Sequence, residues 1–170
     1  MAPTKHSWFS PSAAAANIAC PARAKLNTDK DTSNVYADEG TTCHKAVEDI
    51  DQKGSHNQTL TTDWQEQAIT DALAQRRKLF DSMAFGVSVS VYEQQVDLGA
   101  YGRPDVFGTV DLITYKADTK HLLILDYKFG QGIHVIAKGN EQLMTYALGA
   151  LTLYPDAQKV TMVVVQPRVY

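Results

Sequence analysis

The segment from residue 106 to 128 reads VFGTVDLITYKADTKHLLILDYK and contains two apolar runs separated by a short polar stretch. Residues 106–115 and 122–127 have the length and the apolar content of buried strands. The polar residues 116–120 are few enough to join the two strands as an antiparallel hairpin. The segment therefore predicts neighbouring strands in the core of an α/β protein.

Three charged side chains lie on these two predicted strands. Asp126 and Lys128 are two residues apart, and residues i and i+2 of a strand project from the same face. Pairing of the two strands is expected to bring Asp111 into the same pocket. Mg²⁺ prefers carboxylates together with water and phosphate oxygens, and a nearby ammonium can orient a water and stabilise charge on phosphorus. The two acids and the lysine therefore predict metal-dependent phosphodiester hydrolysis.

Three short motifs follow one another along this half of the chain: Gly108-x-x-Asp111, Asp126-x-Lys128 and Gln142-x-x-x-Tyr146. The series resembles the PD-(D/E)XK nuclease superfamily, specifically its RecB-like and phage exonuclease branch. Residues 126–132 and 140–150 are also similar to uncharacterised phage proteins of that branch. The resemblance implies a restriction-endonuclease-like core, in which a central mixed sheet is flanked by helices.

The same resemblance implies roles for individual residues. His44, Asp111, Asp126 and the carbonyl oxygen of Tyr127 are expected to bind Mg²⁺ or Mn²⁺. Lys128 is expected to position or activate the attacking water. The remaining pair, Gln142 and Tyr146, is expected to support the substrate or the metal-bound acids.

Two of these assignments have structural alternatives. His44 and Glu48 lie four residues apart on one face of a predicted helix, but a surface helix with a histidine beside an acid has the same pattern. Gln142 and Tyr146 lie about one helical turn apart, and an amphipathic helix that packs its apolar residues on a sheet has that pattern too.

The function expected from these residues is a metal-dependent DNA nuclease, specifically a phage or prophage exonuclease that acts in recombination or DNA processing. The resemblance to phage recombination exonucleases implies a single-strand annealing protein as a partner. One alternative is a catalytically inactive nuclease-fold module that binds nucleic acid or a protein. Another is an α/β protein unrelated to nucleases, whose acids are surface charges.

Length and composition indicate one compact domain. The 170 residues are 44% apolar and 21% charged, which is ordinary for a globular protein. Residues 1–84 are expected to form a helical part and residues 85–170 the nuclease sheet core, in the order α, βββ, α, β. The chain ends just after its last strand-like stretch, so we expect it to lack a C-terminal extension. No apolar run is long enough for a membrane span, and we expect the protein in the cytoplasm of a bacterial host cell.

Cysteine content and net charge indicate which kind of RecB-like nuclease is expected. Some RecB-like nucleases hold an iron–sulfur cluster, which needs about four thiolates. This chain has only Cys20 and Cys43, so we predict free thiols and no cluster. The net charge of −3 requires DNA binding to rely on local cations. Candidates are Arg23, Lys25, Lys138 and the run at residues 76–78, although a solvated helix end also explains that run.

Overall fold

The computed structural model describes Ser7 and residues 9–26, 35–131 and 133–169. These residues form an α/β protein with a four-stranded mixed sheet, which confirms the predicted class. The strands are β1 (Val89–Leu98), β2 (Arg103–Lys116), β3 (His121–Tyr127) and β4 (Lys159–Val165). The helices are α1 (Ala14–Ala19), α2 (Arg23–Leu26), α3 (Val35–Lys53), α4 (Asp63–Ser82) and α5 (Glu141–Leu153), with 3-10 turns at Pro11–Ala13 and Gly99–Tyr101.

The sheet has the strand order β1-β2-β3-β4. Strands β1 and β2 are antiparallel, and so are β2 and β3, which form the predicted hairpin. Strand β4 returns after α5 and runs parallel to β3. The backbone N–H of Gln158 donates to the carbonyl of Lys120 before the two strands begin, and the N–H of Lys128 donates to the carbonyl of Val165 at their ends. Neighbouring parallel strands need a long crossover connection, and α5 provides it between β3 and β4.

Strand β3 is buried along its whole length. Successive side chains of a strand point to opposite faces of the sheet, so this burial means that both faces of β3 are covered and that apolar residues need not alternate with polar ones. The burial explains why residues 122–125 are continuously apolar in the sequence.

The chain divides into two compact units, each built from both halves of the sequence. The first contains the described residues of Met1–Lys30, Val89–Leu125 and Ala137–Val163. The second contains those of Asp31–Ser88, Asp126–Ile136 and Val164–Tyr170.

In the first unit, α5 packs closely on β1. A Cβ at Gly149 would lie 2.8 Å from the Cβ of Val96 and 3.2 Å from the carbonyl oxygen of Asp97. Only glycine permits this approach of helix to strand. The side chain of Asn140 begins the helix by accepting a hydrogen bond of 3.0 Å from the N–H of Leu143.

In the second unit, α3 and α4 pack against each other through small and β-branched residues. The side-chain oxygen of Gln65 accepts hydrogen bonds from the N–H groups of Thr61 and Thr62, at 2.7 and 3.1 Å, where α4 begins. The buried apolar residues of the two helices include Ala46, Val47, Ala68, Ile69 and Ala72.

Two local sequence patterns differ from the structure. The alternating valines at 87, 89 and 91 indicate a strand, but β1 starts only at Val89, and Val87 is 90% exposed. The buried residue of β1 is Val96, further along the strand. Ser10-Pro11 is typical of a helix start, but this segment begins as the 3-10 turn Pro11–Ala13 and becomes α-helical at Ala14. Across the described part of the chain, no helix combines the length and the hydrophobicity that a membrane crossing requires.

Candidate active site

Asp126 and Lys128 meet at the end of β3 in the second unit. The Oδ2 atom of Asp126 lies 2.9 Å from the Nζ atom of Lys128. The side chain of Asp126 is 5% exposed and that of Lys128 is 31% exposed. The N–H of Lys128 donates to the carbonyl oxygen of Val165 at 2.9 Å, so sheet pairing fixes the lysine backbone. The strand thus presents one buried carboxylate and one partly accessible ammonium from the same face.

Burial raises the pKa of the Asp126 carboxyl above its ordinary value, and the adjacent ammonium of Lys128 partly opposes this rise. The cause is the poor solvation of a charged carboxylate in the interior. A second positive charge beside this carboxylate would stabilise its ionised form further.

His44 lies on α3 with two aromatic rings against its imidazole. The ring of Phe129 is 5.1 Å away and that of Tyr127 is 6.4 Å away, both in edge-to-face geometry. Burial, with repulsion from Lys128, lowers the pKa of His44 from 6.5 to about 4. The imidazole is therefore neutral at pH 7, which is the form that binds metals.

Glu48 lies one turn further along α3 and interacts with its own helix. Its carboxylate accepts hydrogen bonds from the Lys45 ammonium at 2.6 Å and from the Gln52 amide at 3.0 Å. This geometry is that of a helix surface, and it favours the structural alternative for Glu48.

The side chain of Tyr127 points into the core of the second unit, where it is 2% exposed. Its hydroxyl oxygen accepts a hydrogen bond of 3.1 Å from Arg76, whose guanidinium also binds both carboxylate oxygens of Asp51. Arg76 is the first residue of the basic run at 76–78, and its side chain is only 16% exposed. The Arg76 side chain therefore makes core contacts, whereas Arg77 and Lys78 are exposed.

The role of the Tyr127 carbonyl as a metal ligand stays a prediction.

In the first unit, Asp111 lies opposite Glu93. Tyr92 pairs with Leu112 and Gln94 pairs with Val110, so Glu93 occupies the register position that faces Asp111. A carboxylate oxygen of Glu93 lies within 4.8 Å of one of Asp111. Opposed acids on neighbouring strands are destabilising. The structure thus adds Glu93, which the sequence motifs did not indicate, beside a predicted metal ligand.

Glu93 also has an unusual backbone conformation, with φ of 47°. This left-handed conformation costs a non-glycine residue about 1–2 kcal/mol. Strain of this kind concentrates at functional sites. Two unfavourable features, the strain and the opposed charges, therefore coincide at one position of the β1–β2 ladder.

Gly108, Gln142 and Tyr146 also lie in the first unit. A Cβ at position 108 would lie 2.7 Å from Cδ of Pro11 and 3.3 Å from Cε1 of Tyr146. The glycine of the Gly-x-x-Asp motif thus makes room for a proline and an aromatic ring. Tyr146 is 6% exposed, and the amide of Gln142 donates a long hydrogen bond of 3.4 Å to its hydroxyl. A packing role for Tyr146 is therefore visible, while contact with substrate stays a prediction for both residues.

The remaining candidates divide by exposure. Arg23 and Lys138 are exposed, as DNA contacts require, and the side chain of Lys25 lies outside the described residues. Cys20 is exposed and Cys43 is buried, and both are free thiols. Burial raises the pKa of Cys43 to about 11, so this thiol stays protonated at neutral pH and does not offer a thiolate.

The chain matches a known protein family over nearly its whole length. The family model described as a protein of unknown function, DUF2800, matches residues 6–170. This match covers both compact units.

Proposed function

We propose that this chain, which belongs to the DUF2800 family, is a metal-dependent DNA nuclease with a PD-(D/E)XK core. The observation that carries the proposal is the pair at the end of β3. A buried carboxylate, Asp126, lies 2.9 Å from the ammonium of Lys128. The neutral imidazole of His44 lies in the same unit. A carboxylate and a neutral imidazole can bind a divalent cation, and an ammonium can stabilise the charge that develops on a phosphoryl group.

Lys128 is the residue that orients the attacking water, a role that needs an ammonium group accessible to solvent. Its side chain is 31% exposed, so its ammonium is open to solvent while its stem and backbone are held by the strand. An ammonium in this position orients a water molecule and stabilises the charge that develops on the phosphoryl oxygens.

The sequence motifs support one site for both acids. Asp111 belongs to the Gly-x-x-Asp motif and Asp126 to the Asp-x-Lys motif. In the PD-(D/E)XK nucleases that these motifs resemble, the two acids bind one metal. We therefore propose Asp111 and Asp126 as ligands of the same ion.

The donor set suits a hard cation. The proposed ligands are His44, Asp111, Asp126 and the Tyr127 carbonyl, and we add Glu93 because its carboxylate lies opposite Asp111. Carboxylate and carbonyl oxygens suit Mg²⁺ and Mn²⁺, and a bound cation offsets the repulsion between opposed acids. When bound, the cation polarises the phosphoryl oxygen and lowers the pKa of the attacking water. Gln142 and Tyr146 support this site from α5.

The more specific proposal is an exonuclease of phage or prophage origin, used in recombination together with a single-strand annealing protein. It rests on the likeness of the three motifs to phage exonucleases. The exposed Arg23 and Lys138 supply local positive charge for DNA binding in a chain whose net charge is −3.

The test is cleavage of end-labelled linear DNA and of closed circular DNA, with Mg²⁺ or Mn²⁺ and with EDTA. The wild-type chain is compared with Lys128→Ala and with Lys159→Ala, which removes an exposed lysine at the start of β4. We expect metal-dependent loss of the linear substrate, abolished by Lys128→Ala and unchanged by Lys159→Ala.

Each other outcome has a distinct meaning. Cutting of the circle identifies an endonuclease. Equal cleavage by wild type and Lys128→Ala refutes the proposed site. A folded chain that neither cleaves DNA nor binds metal is the inactive nuclease-fold module.

A further inference from the structure

We propose that Arg168 is a positioning residue for the candidate active site, because it fixes the segment after Lys128 so that the Phe129 ring stays against the His44 imidazole. This role lies outside all three motifs. Its consequence for DNA cleavage rests on the proposed function, whereas its geometric part does not.

Arg168 follows β4 and contacts the segment after β3 through two hydrogen bonds. Its guanidinium donates to the carbonyl oxygen of Phe129 at 3.4 Å and to the side-chain oxygen of Gln131 at 3.1 Å. The planar, forked guanidinium can serve both acceptors at once, which an ammonium on a flexible stem does less well.

The guanidinium is itself held in place by α4. Its central carbon lies 3.6 Å from the centroid of the Trp64 indole, and tryptophan is the best aromatic partner of a cation. Trp64 lies in the first turn of α4, a 20-residue helix. Arg168 therefore anchors Phe129 and Gln131, which lie outside the helices and strands, to a long helix.

A second residue after β4 holds the distal part of the same segment. The side chain of Gln166 accepts a hydrogen bond from the N–H of Val135 at 2.9 Å and donates one to the carbonyl of Ile133 at 3.1 Å. Gln166 therefore holds Ile133 and Val135, which are remote from Lys128, whereas Arg168 holds Phe129, which is next to Lys128.

Phe129 connects this anchor to the candidate site. It is covalently joined to Lys128, and its ring centroid is 5.1 Å from that of His44. The ring is also stacked on Tyr127 at 5.9 Å. A shift of the Phe129 backbone would therefore change both the surroundings of His44 and the direction of the Lys128 side chain.

The geometric test uses nuclear Overhauser contacts between the ring protons of His44 and Phe129 in the metal-free full chain. The variants are Arg168→Ala and Arg168→Lys. The matched control is Arg103→Ala, because Arg103 also lies over an aromatic ring, that of Phe9, and also makes a forked pair of hydrogen bonds, to Asp105. We expect the His44–Phe129 contact to disappear in both Arg168 variants and to persist in the control.

The catalytic test measures kcat and KM for linear DNA in the same variants. A displacement of about 1 Å at a reacting group costs on the order of 100-fold in rate, so we expect kcat to fall about 10- to 100-fold in Arg168→Lys with KM within about twofold. A purely stabilising role would leave kcat unchanged in the folded fraction, which thermal unfolding of each variant quantifies.

The outcomes separate the two proposals. If the wild-type chain does not cleave DNA, the proposed function fails, and the Overhauser contacts still decide the positioning role. A retained His44–Phe129 contact in Arg168→Ala overturns the inference. If Arg168→Ala does not fold, Arg168→Lys and Gln131→Ala decide instead, and wild-type contacts in both overturn it.

Discussion

Replacement of Gly108 by alanine tests whether the motif glycine serves packing. The added Cβ would lie 2.7 Å from Cδ and 3.0 Å from Cγ of Pro11, and 3.3 Å from Cε1 of Tyr146. Neither neighbour offers a flexible chain end: one is a buried pyrrolidine ring and the other a tyrosine with 6% exposure. Overpacking of this kind costs about 1–3 kcal/mol, so we expect Gly108→Ala to lower the free energy of unfolding by that amount.

The matched control is Gly40→Ala within α3. Beyond its own helix backbone and chain neighbours, a Cβ at Gly40 would meet no heavy atom of the described residues within 4 Å, and the φ of Gly40 is not positive. Alanine in a helix interior is more favourable than glycine by roughly 0.5–1 kcal/mol, so this variant should be more stable than the wild type. Urea unfolding of the metal-free proteins, followed by circular dichroism, measures both changes.

A double-mutant cycle identifies the source of the cost. Pro11→Ala removes Cγ and Cδ, the atoms that the new Cβ would meet, so it should recover at least about 1 kcal/mol when combined with Gly108→Ala. A Gly108→Ala protein as stable as the wild type would refute the packing explanation. Additive effects in the cycle would show that Pro11 is not the obstacle.

Two further predictions concern charge. Arg76→Met leaves the carboxylate of Asp51, whose side chain is 6% exposed, without its guanidinium partner and should cost about 3–5 kcal/mol of stability. Arg77→Met, on the exposed face of the helix, should change the stability by less than about 0.5 kcal/mol. Equal effects of the two substitutions in urea unfolding would contradict the burial of Arg76 and the exposure of Arg77. Since the pKa of His44 is lowered from 6.5 to about 4, the unfolded chain gains a proton there before the folded one does. The wild type should therefore lose up to about 3 kcal/mol relative to His44→Gln as the pH falls from 6.5 towards 4, and no difference should develop above pH 7. Both proteins are measured in EDTA to exclude metal binding. The opposite contribution of Asp126, whose raised pKa favours the folded state as the pH falls, is common to both proteins and cancels in the difference. Parallel stability curves would contradict the burial of the imidazole.

The fold was predictable because periodicity and continuous apolar runs reflect burial directly. The fully buried β3 and the hairpin with β2 appear in the sequence as two apolar runs with a polar connection. The start of β1 was misplaced because alternation indicates a strand without indicating which residues are covered. Val87 has the right pattern but lies outside the strand and in solvent.

Parts of the candidate site depend on tertiary pairing that no local pattern encodes. Glu93 is an ordinary acid in the sequence, and only the strand register and its φ of 47° distinguish it. Arg76 belongs to a basic run typical of a solvated helix end, yet it binds Asp51 in the core. Arg168 lies 40 residues after Lys128, so its hydrogen bond to Phe129 becomes visible only when β4 is placed beside β3.

The most direct test of the metal site is Mn²⁺ binding, followed by electron paramagnetic resonance of the free ion. The proteins compared are the wild type, Asp111→Asn, Asp126→Asn and Lys128→Ala. If the two acids hold one ion, either asparagine variant should weaken binding at least about tenfold, while loss of the Lys128 ammonium should leave the affinity equal or higher, because it removes a positive charge beside Asp126. Wild-type affinity in Asp126→Asn would contradict a shared site, and no measurable binding by the folded wild type would contradict metal-dependent catalysis.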